Sequence, residues 1–218
     1  MTALLLLRHA ESVWNEDGRF QGWADPPLST SGHRAALAWS REAATRFDAV
    51  VSSDLIRARS TAEVIAEGVG TGRVDIRHSL REQDQGAWTG LTKAEVKRTW
   101  PQLARVRPRE PYGGETHADL ARRVMAELED VALAYTGQRV LVVTHAGVIK
   151  AVESSLGCED IPVPHLQGRW IIRSSASVWP VPRRQVEQAG DRWLAGESVP
   201  GTRTRRQALT ADQGEWLR

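Results

Sequence analysis

Two histidines and two arginines stand where apolar runs of this chain end, and together they have the makings of an anion site. Leu4-Leu5-Leu6-Leu7 leads straight into Arg8-His9. Asp48-Ala49-Val50-Val51-Ser52-Ser53 opens into Asp54-Leu55-Ile56-Arg57, and Arg139-Val140-Leu141-Val142-Val143-Thr144 ends at His145. A guanidinium presents a planar fork that matches phosphate oxygens. An imidazole can attack phosphorus and leave again, splitting one hard displacement into two easier ones. On residue type alone either His9 or His145 serves as that nucleophile. Transfer of a proton to a leaving alcohol calls for a carboxyl group, and Arg81-Glu82-Gln83-Asp84 offers Glu82 and Asp84.

These side chains need elements to bring them together. The leucine run is too short to cross a membrane and too apolar for a solvated turn, so it reads as a strand buried on both faces. Runs of this kind, each ending in a cationic or potentially cationic side chain, meet at the carboxyl edge of a parallel sheet, where open α/β folds bind ligands. The expectation is an α/β three-layer sandwich, with a mostly parallel central sheet and helices on both faces.

Helical signals fall between the strands. Ser29 or Ser31 caps a helix running to about Arg46, with Ala35, Leu37, Ala38 and Ala43 on or near its apolar side. A second helix runs from about Asp54 to Val69 on Leu55, Ala58, Ala62 and Ile65, with Arg57 in its first turn and Arg59 directed elsewhere. Thr92-Lys93-Ala94-Glu95 has capping-box spacing, and Trp100-Pro101 ends the helix it opens. Thr116 caps a helix with a Leu120, Val124, Leu128, Val131 stripe, which is core. Gly147 begins a helix that stops near Leu156-Gly157, and its first N–H groups add to an anion site. Val74–His78 alternates as a half-exposed strand with His78 at the surface, and Trp170–Val181 supplies one or two edge strands. His33, His117 and His165 read as structural or exposed.

Between the first strand and first helix, Ser12 to Trp23 is a loop whose Ser12, Asn15 and Gln21 can donate to phosphate oxygens. Trp14 and Trp23 wall its entrance or pack it against the body. Pro101 to Gly114, carrying Arg105, Arg107 and Arg109, reads as an ordered loop over the site. Beyond Pro182 arginine, glycine and threonine accumulate. Trp193-Leu194 is a candidate last edge strand. The domain expected is 1–199, with 200–218 a flexible tail.

At 218 residues and 24.2 kDa the chain suits one α/β domain with a sizeable core. A net charge of +2 is too balanced to argue for a nucleic-acid binder. Cys158 is the only cysteine, so no intrachain disulfide forms, which suits a reducing compartment. No basic region precedes the leucine run and no stretch reaches membrane-spanning length, so the expected location is the cytoplasm.

Four segments, in order, carry a family resemblance: Arg8-His9-Ala10-Glu11, Ser52 to Ala58, Leu80-Arg81-Glu82 with Gly86-Ala87-Trp88-Thr89-Gly90-Leu91-Thr92, and Thr144-His145-Ala146-Gly147. Together they resemble the histidine phosphatase superfamily, the phosphoglycerate-mutase-like family. The resemblance implies His9 as nucleophile, with Arg8, Arg57 and His145 on the transferring phosphoryl group. It picks Glu82 over Asp84 as proton donor. It implies substrate-binding positions at Ser12, Asn15, Gln21, Gly22 and Ala146, and structural support from Gly113 to Thr116. Ala10 stands where the family more usually has glycine.

The activity implied is a phosphomonoesterase that needs no metal and no cofactor. Its partner is a small phosphorylated metabolite, with no nucleic acid, no membrane and room for a homodimer. A metal held by His9, His145, Glu82 and Asp84 is disfavoured because two guanidiniums would stand beside the cation. A phosphoglycerate mutase is the first alternative. The loop between Trp100 and Gly113 is short and lacks the arginine-tryptophan-rich insertion of the mutases, which favours hydrolysis. A phosphate-binding protein without turnover is the second alternative, but such a scaffold has no need of Glu82.

Overall fold

A computed structural model describes residues 1–43, 47–102, 110–158, 161–174 and 177–180. Its strands are β1 (Thr2–Arg8), β2 (Ala49–Ser52), β3 (Val74–Ile76), β4 (Arg139–Thr144), β5 (Gly168–Ser174) and β6 (Ser177–Pro180). Its helices are α1 (Val13–Glu16), α2 (Thr30–Glu42), α3 (Ile56–Val69), α4 (Lys93–Thr99), α5 (His117–Ala134) and α6 (Ala146–Ser155). The strands form one sheet in the order β3-β2-β4-β1-β5-β6. The first four neighbours pair in parallel, whereas β5 runs antiparallel to β1 and β6 antiparallel to β5.

Alternation along the central strands builds two cores. Leu4 and Leu6 of β1, with Val140 and Val142 of β4, pack against Leu120, Val124, Leu128 and Val131 of α5 and Val148 and Ile149 of α6. Leu7, with Leu141 and Val143, faces Ala58, Ala62 and Ile65 of α3. Both faces of the leucine run are thus covered, which is why the run is continuous rather than alternating. These are the three layers expected from the sequence.

The helix signals hold at α4, where Thr92 and Glu95 form the capping box, and at α5, which Thr116 caps. At α2 the cap is Ser29 and Ala43 at its end is buried as expected, but the rest of the buried face differs from the sequence reading: Ala35, Leu37 and Ala38 are exposed, and Gly32, Ala36 and Ser40 are buried. The reason is close approach rather than hydrophobicity. A Cβ on Gly32 would lie 2.0 Å from the Glu11 carbonyl oxygen, and one on Gly68 of α3 would lie 2.7 Å from Ser40 Oγ. Small residues let α2 seat against the first loop and α3, and a hydrophobicity pattern does not register them. The expected end of α2 at Arg46, Arg105, Arg107 and Arg109, the Trp193-Leu194 strand and the 200–218 tail lie outside the described residues. Among the described residues no helix is long and apolar enough to cross a membrane.

Candidate active site

Register places the two histidines side by side. Arg8 pairs with Thr144 at the last rung between β1 and β4, so His9 and His145 are the next residues beyond the edge. The His9 N–H donates to the Thr144 carbonyl at 2.9 Å, and the two rings lie 5.1 Å apart at 61°. Both side chains are buried. His9 Nδ1 lies 2.6 Å from the Ala10 carbonyl oxygen, which can only accept, so Nδ1 carries the proton and Nε2 the lone pair.

His145 is oriented by a relay from the neighbouring strand end. The Leu55 N–H donates to Ser53 Oγ at 3.3 Å, and Ser53 Oγ lies 3.0 Å from His145 Nε2. With the hydroxyl proton directed to Nε2, His145 Nδ1 becomes a donor. It is buried without a hydrogen-bond partner among the described residues, as are Nε of Arg8 and Nε of Arg57. Buried polar groups ordinarily find partners. Three unpartnered N–H groups, on residues close enough for the charges of Arg57 and Arg8 to be felt at His145, suit the oxygens of a phosphoryl group.

Arg57 is 1% exposed, and its terminal nitrogens donate to the carbonyls of Gly22 and Ala24, each at 2.8 Å. Arg8 donates from Nη1 to the Val163 carbonyl at 2.8 Å. Burial lowers the Arg57 pKa to about 10, opposed by Glu82 and Asp25, and lowers that of Arg8, opposed by Glu82. Arg59 instead pairs with Glu63 at the surface, in agreement with the sequence.

Burial, and then the Arg57 charge, hold both His9 and His145 well below the ordinary imidazole pKa. Both rings are therefore neutral near pH 7, as a nitrogen nucleophile requires. The sign of the stability effect follows. Above the unfolded value of about 6.5 neither state binds the extra protons. Below it the unfolded chain takes them up first, so stability falls, by at most about 1.4 kcal/mol per pH unit for each group. Thermal unfolding followed from pH 7 to pH 5.5 should show Tm falling below pH 6.5. Inorganic phosphate should reduce the fall, because an anion beside the rings restores their pKa. A flat Tm over this range would contradict the burial of neutral imidazoles.

The two candidate carboxylates separate cleanly. Glu82 Oε2 accepts from the Gly147 N–H at 3.2 Å, in the first turn of α6 next to His145. A Cβ on Gly147 would stand 2.2 Å from Glu82 Oε1, so only glycine admits the carboxylate there. The segment bearing Glu82 is braced by Arg123, which donates to the carbonyls of Ser79 and Arg81 at 2.8 and 3.0 Å and is paired with Glu115 at 2.6 Å. That is the support expected of the Gly113–Thr116 segment. Asp84 builds a turn instead, its Oδ1 accepting from the Gly86 N–H at 2.9 Å.

The first loop is organised differently from a row of phosphate donors. Ser12 is fully buried and caps α1 in a capping box with Asn15. Its hydroxyl also reaches Gln21 Oε1 at 2.8 Å. The amide oxygens of Asn15 and Gln21 are thus committed inward, at 3.1 Å to the Ser12 N–H and 2.8 Å to its hydroxyl, and their amino ends are the ones turned to other partners. Gly22 holds Arg57 through its carbonyl. Its φ of 50° and a Cβ position 2.7 Å from the Gln85 nitrogen both require glycine. Ala146 opens α6. Trp23 is 45% exposed, donates its indole N–H to the Glu82 carbonyl at 2.8 Å and lies under Arg81. It stands beside Glu82, while Trp14 packs near Gly90.

His165 is structural rather than exposed, and it stands at the site. His33 and His117 are exposed as expected, but the His165 ring stands 5.6 Å from the His9 ring, and its Nδ1–H donates to the His9 carbonyl at 3.0 Å. The signal was topological. A strand that returns antiparallel to β1 must be entered from the carboxyl edge, so the segment before β5 lies at the site. Among the described residues no group of three or more His, Cys, Asp or Glu side chains is arranged to hold a metal ion.

Comparison with known proteins agrees with this geometry. Residues 4–198 match the family model of the histidine phosphatase superfamily (branch 1). The chain is 35% identical over 196 residues to a metal-independent phosphoserine phosphatase of Arabidopsis thaliana, covering 82% of each. It is also 35% identical over 161 residues to a 2,3-bisphosphoglycerate-dependent phosphoglycerate mutase of Methylorubrum extorquens, covering 68% of this chain and 76% of that one. A mycobacterial glucosyl-3-phosphoglycerate phosphatase solved in complex with VO3 superposes with a TM-score of 0.72 at 27% identity, over 82% of this chain and 96% of that one.

Proposed function

The chain belongs to the histidine phosphatase superfamily, and from that premise we infer that it is a metal-independent phosphomonoesterase acting on a small phosphorylated metabolite through a phosphohistidine at His9. The observation that carries the reading is His9 itself. It is a buried, neutral imidazole fixed with Nδ1–H on the Ala10 carbonyl and its Nε2 lone pair unprotonated, beside the buried guanidinium of Arg57 and the half-buried one of Arg8.

In the first step Nε2 attacks phosphorus, the P–O ester bond breaks, and Glu82 passes a proton to the departing alcohol. In the second, water attacks phosphorus while Glu82 takes up its proton. The P–N bond breaks, and inorganic phosphate and neutral His9 are regenerated. Arg8, Arg57 and His145 hold the phosphoryl oxygens in both steps, with most effect as charge develops where water is excluded. The amino ends of Asn15 and Gln21, whose oxygens Ser12 holds, are the further donors this reading assigns to the same oxygens, and the Gly147 end of α6 acts by holding Glu82. The unpaired Cys158 accords with our placing the enzyme in the cytoplasm.

A mutase is the second reading, favoured by a mutase relative matching at the same 35% identity as the phosphatase one. The short stretch between Trp100 and Gly113 tells against it, since a mutase must shield phosphohistidine from water. Phosphate release in excess EDTA from a panel including phosphoserine and glucosyl-3-phosphoglycerate, with 3-phosphoglycerate isomerisation followed alongside, separates the readings. Release that survives EDTA and vanishes in His9→Ala is the expected result. Isomerisation without net release would establish the mutase.

A further inference from the structure

We propose that His165 is a positioning residue for the nucleophile: with Thr61 it pins the peptide between His9 and Ala10 and so keeps His9 in the tautomer that presents Nε2 to phosphorus. The inference rests on the reading of His9 as nucleophile.

The peptide unit joining His9 and Ala10 is held at both ends. Its carbonyl accepts from His165 Nδ1–H at 3.0 Å. Its N–H donates to Thr61 Oγ1 at 3.1 Å, and that hydroxyl in turn donates to the Arg57 carbonyl at 2.7 Å. Thr61 is fully buried in α3, and His165 comes from the segment before β5, so the two polar ends of the peptide are gripped by two different elements. What this plane controls is the next carbonyl. Ala10 O is the atom that holds the His9 Nδ1 proton, at 2.6 Å. A shift of the 9–10 peptide that moves Cα of Ala10 would carry Ala10 O away and release His9 to the other tautomer, whose Nε2 is protonated and cannot attack.

The segment that carries His165 is itself built for rigidity. Leu166 has a φ of 56°, and among the described residues it is the one non-glycine residue at positive φ. Such a conformation is strained for a non-glycine residue and persists only where the surroundings enforce it. Here the Leu166 N–H donates to the Arg8 carbonyl at 3.0 Å, the Arg8 N–H donates to the Gln167 carbonyl at 3.0 Å, and Val163 receives the Arg8 side chain at 2.8 Å. One strained segment thus fixes the first arginine through its backbone and side chain, and the first histidine through its peptide.

The test compares wild type with His165→Ala and His165→Gln, the second retaining an N–H donor. The His9 tautomer is read from imidazole nitrogen chemical shifts in the resting enzyme. The single-turnover rate and KM are read with p-nitrophenyl phosphate. His165→Ala should mix the tautomers and slow single turnover roughly tenfold, the worth of one such hydrogen bond, with KM within about twofold of wild type. His165→Gln should restore the tautomer and most of the rate. An unchanged tautomer in His165→Ala, or a loss that falls on KM and is not restored by glutamine at equal Tm, overturns the proposal. If His165→Ala does not fold, His165→Gln beside His165→Leu decides by the same two readouts. Because the tautomer is read without turnover, activity that survives in His9→Ala would sink the nucleophile assignment while leaving the pinning of the peptide separately decided.

Discussion

Glu82→Gln is expected to lower kcat for an alkyl phosphate by about 10²- to 10⁴-fold, the usual worth of a general acid–base group. Glutamine keeps one acceptor oxygen, enough for either the Gly147 N–H seen at 3.2 Å on Oε2 or the Gln83 N–H seen at 2.8 Å on Oε1, so the change removes the proton and one backbone hydrogen bond. The loss should therefore depend on the leaving group. p-Nitrophenolate departs without a proton, so formation of phosphohistidine from its ester should stay fast while hydrolysis of the intermediate slows. A burst of p-nitrophenol followed by a slow steady state is the signature. Asp84→Asn should lack it, because Asp84 closes a turn on the Gly86 N–H. A full rate in Glu82→Gln combined with a large loss in Asp84→Asn would exchange the two roles.

Gly147→Ala should cost about 10²-fold in kcat although it adds one methyl group. The added carbon would lie 2.2 Å from Glu82 Oε1, so the carboxylate must move, and displacement of a catalytic group by about 1 Å is enough for a loss of that size. Helix propensity acts in the opposite direction, favouring alanine over glycine by about 1 kcal/mol within a helix. Activity and Tm should accordingly part company. The decisive form is a double-mutant cycle. If Gly147 matters through Glu82, Gly147→Ala adds little to Glu82→Gln, whereas multiplicative losses would mean that it acts elsewhere.

The sequence was most legible where physics is local and repetitive. Continuous apolar runs identified the inner strands because a doubly covered strand has no polar face to show. Arg8 and His145 are legible because each directly follows such a run, whereas Arg57, four residues beyond its run in the first turn of α3, is picked over Arg59 by the resemblance. What stayed hidden depended on partners distant in sequence. His165 carries no motif, and its place beside His9 exists only because β5 returns antiparallel to β1. Ser12 and Asn15 had the right residue types, yet a hydroxyl and an amide can cap a helix as readily as they bind phosphate, and here the Ser12 hydroxyl caps. The buried face of α2 was misread because Gly32, Ala36 and Ser40 are chosen for size, which a hydrophobicity stripe does not record. Glu82 was separated from Asp84 in the sequence by resemblance alone; the Gly147 contact supplies the physical reason.

The most direct test of the account is chemical trapping on His9. The enzyme is mixed with ³²P-labelled p-nitrophenyl phosphate in EDTA, quenched within a turnover in alkali, and digested for peptide mapping by mass spectrometry. The account predicts an acid-labile, alkali-stable phosphoryl group on the peptide containing His9, formed and discharged at rates consistent with kcat and accumulating in Glu82→Gln. Label on the His145 peptide, or turnover with no labelled enzyme at any time, would contradict it.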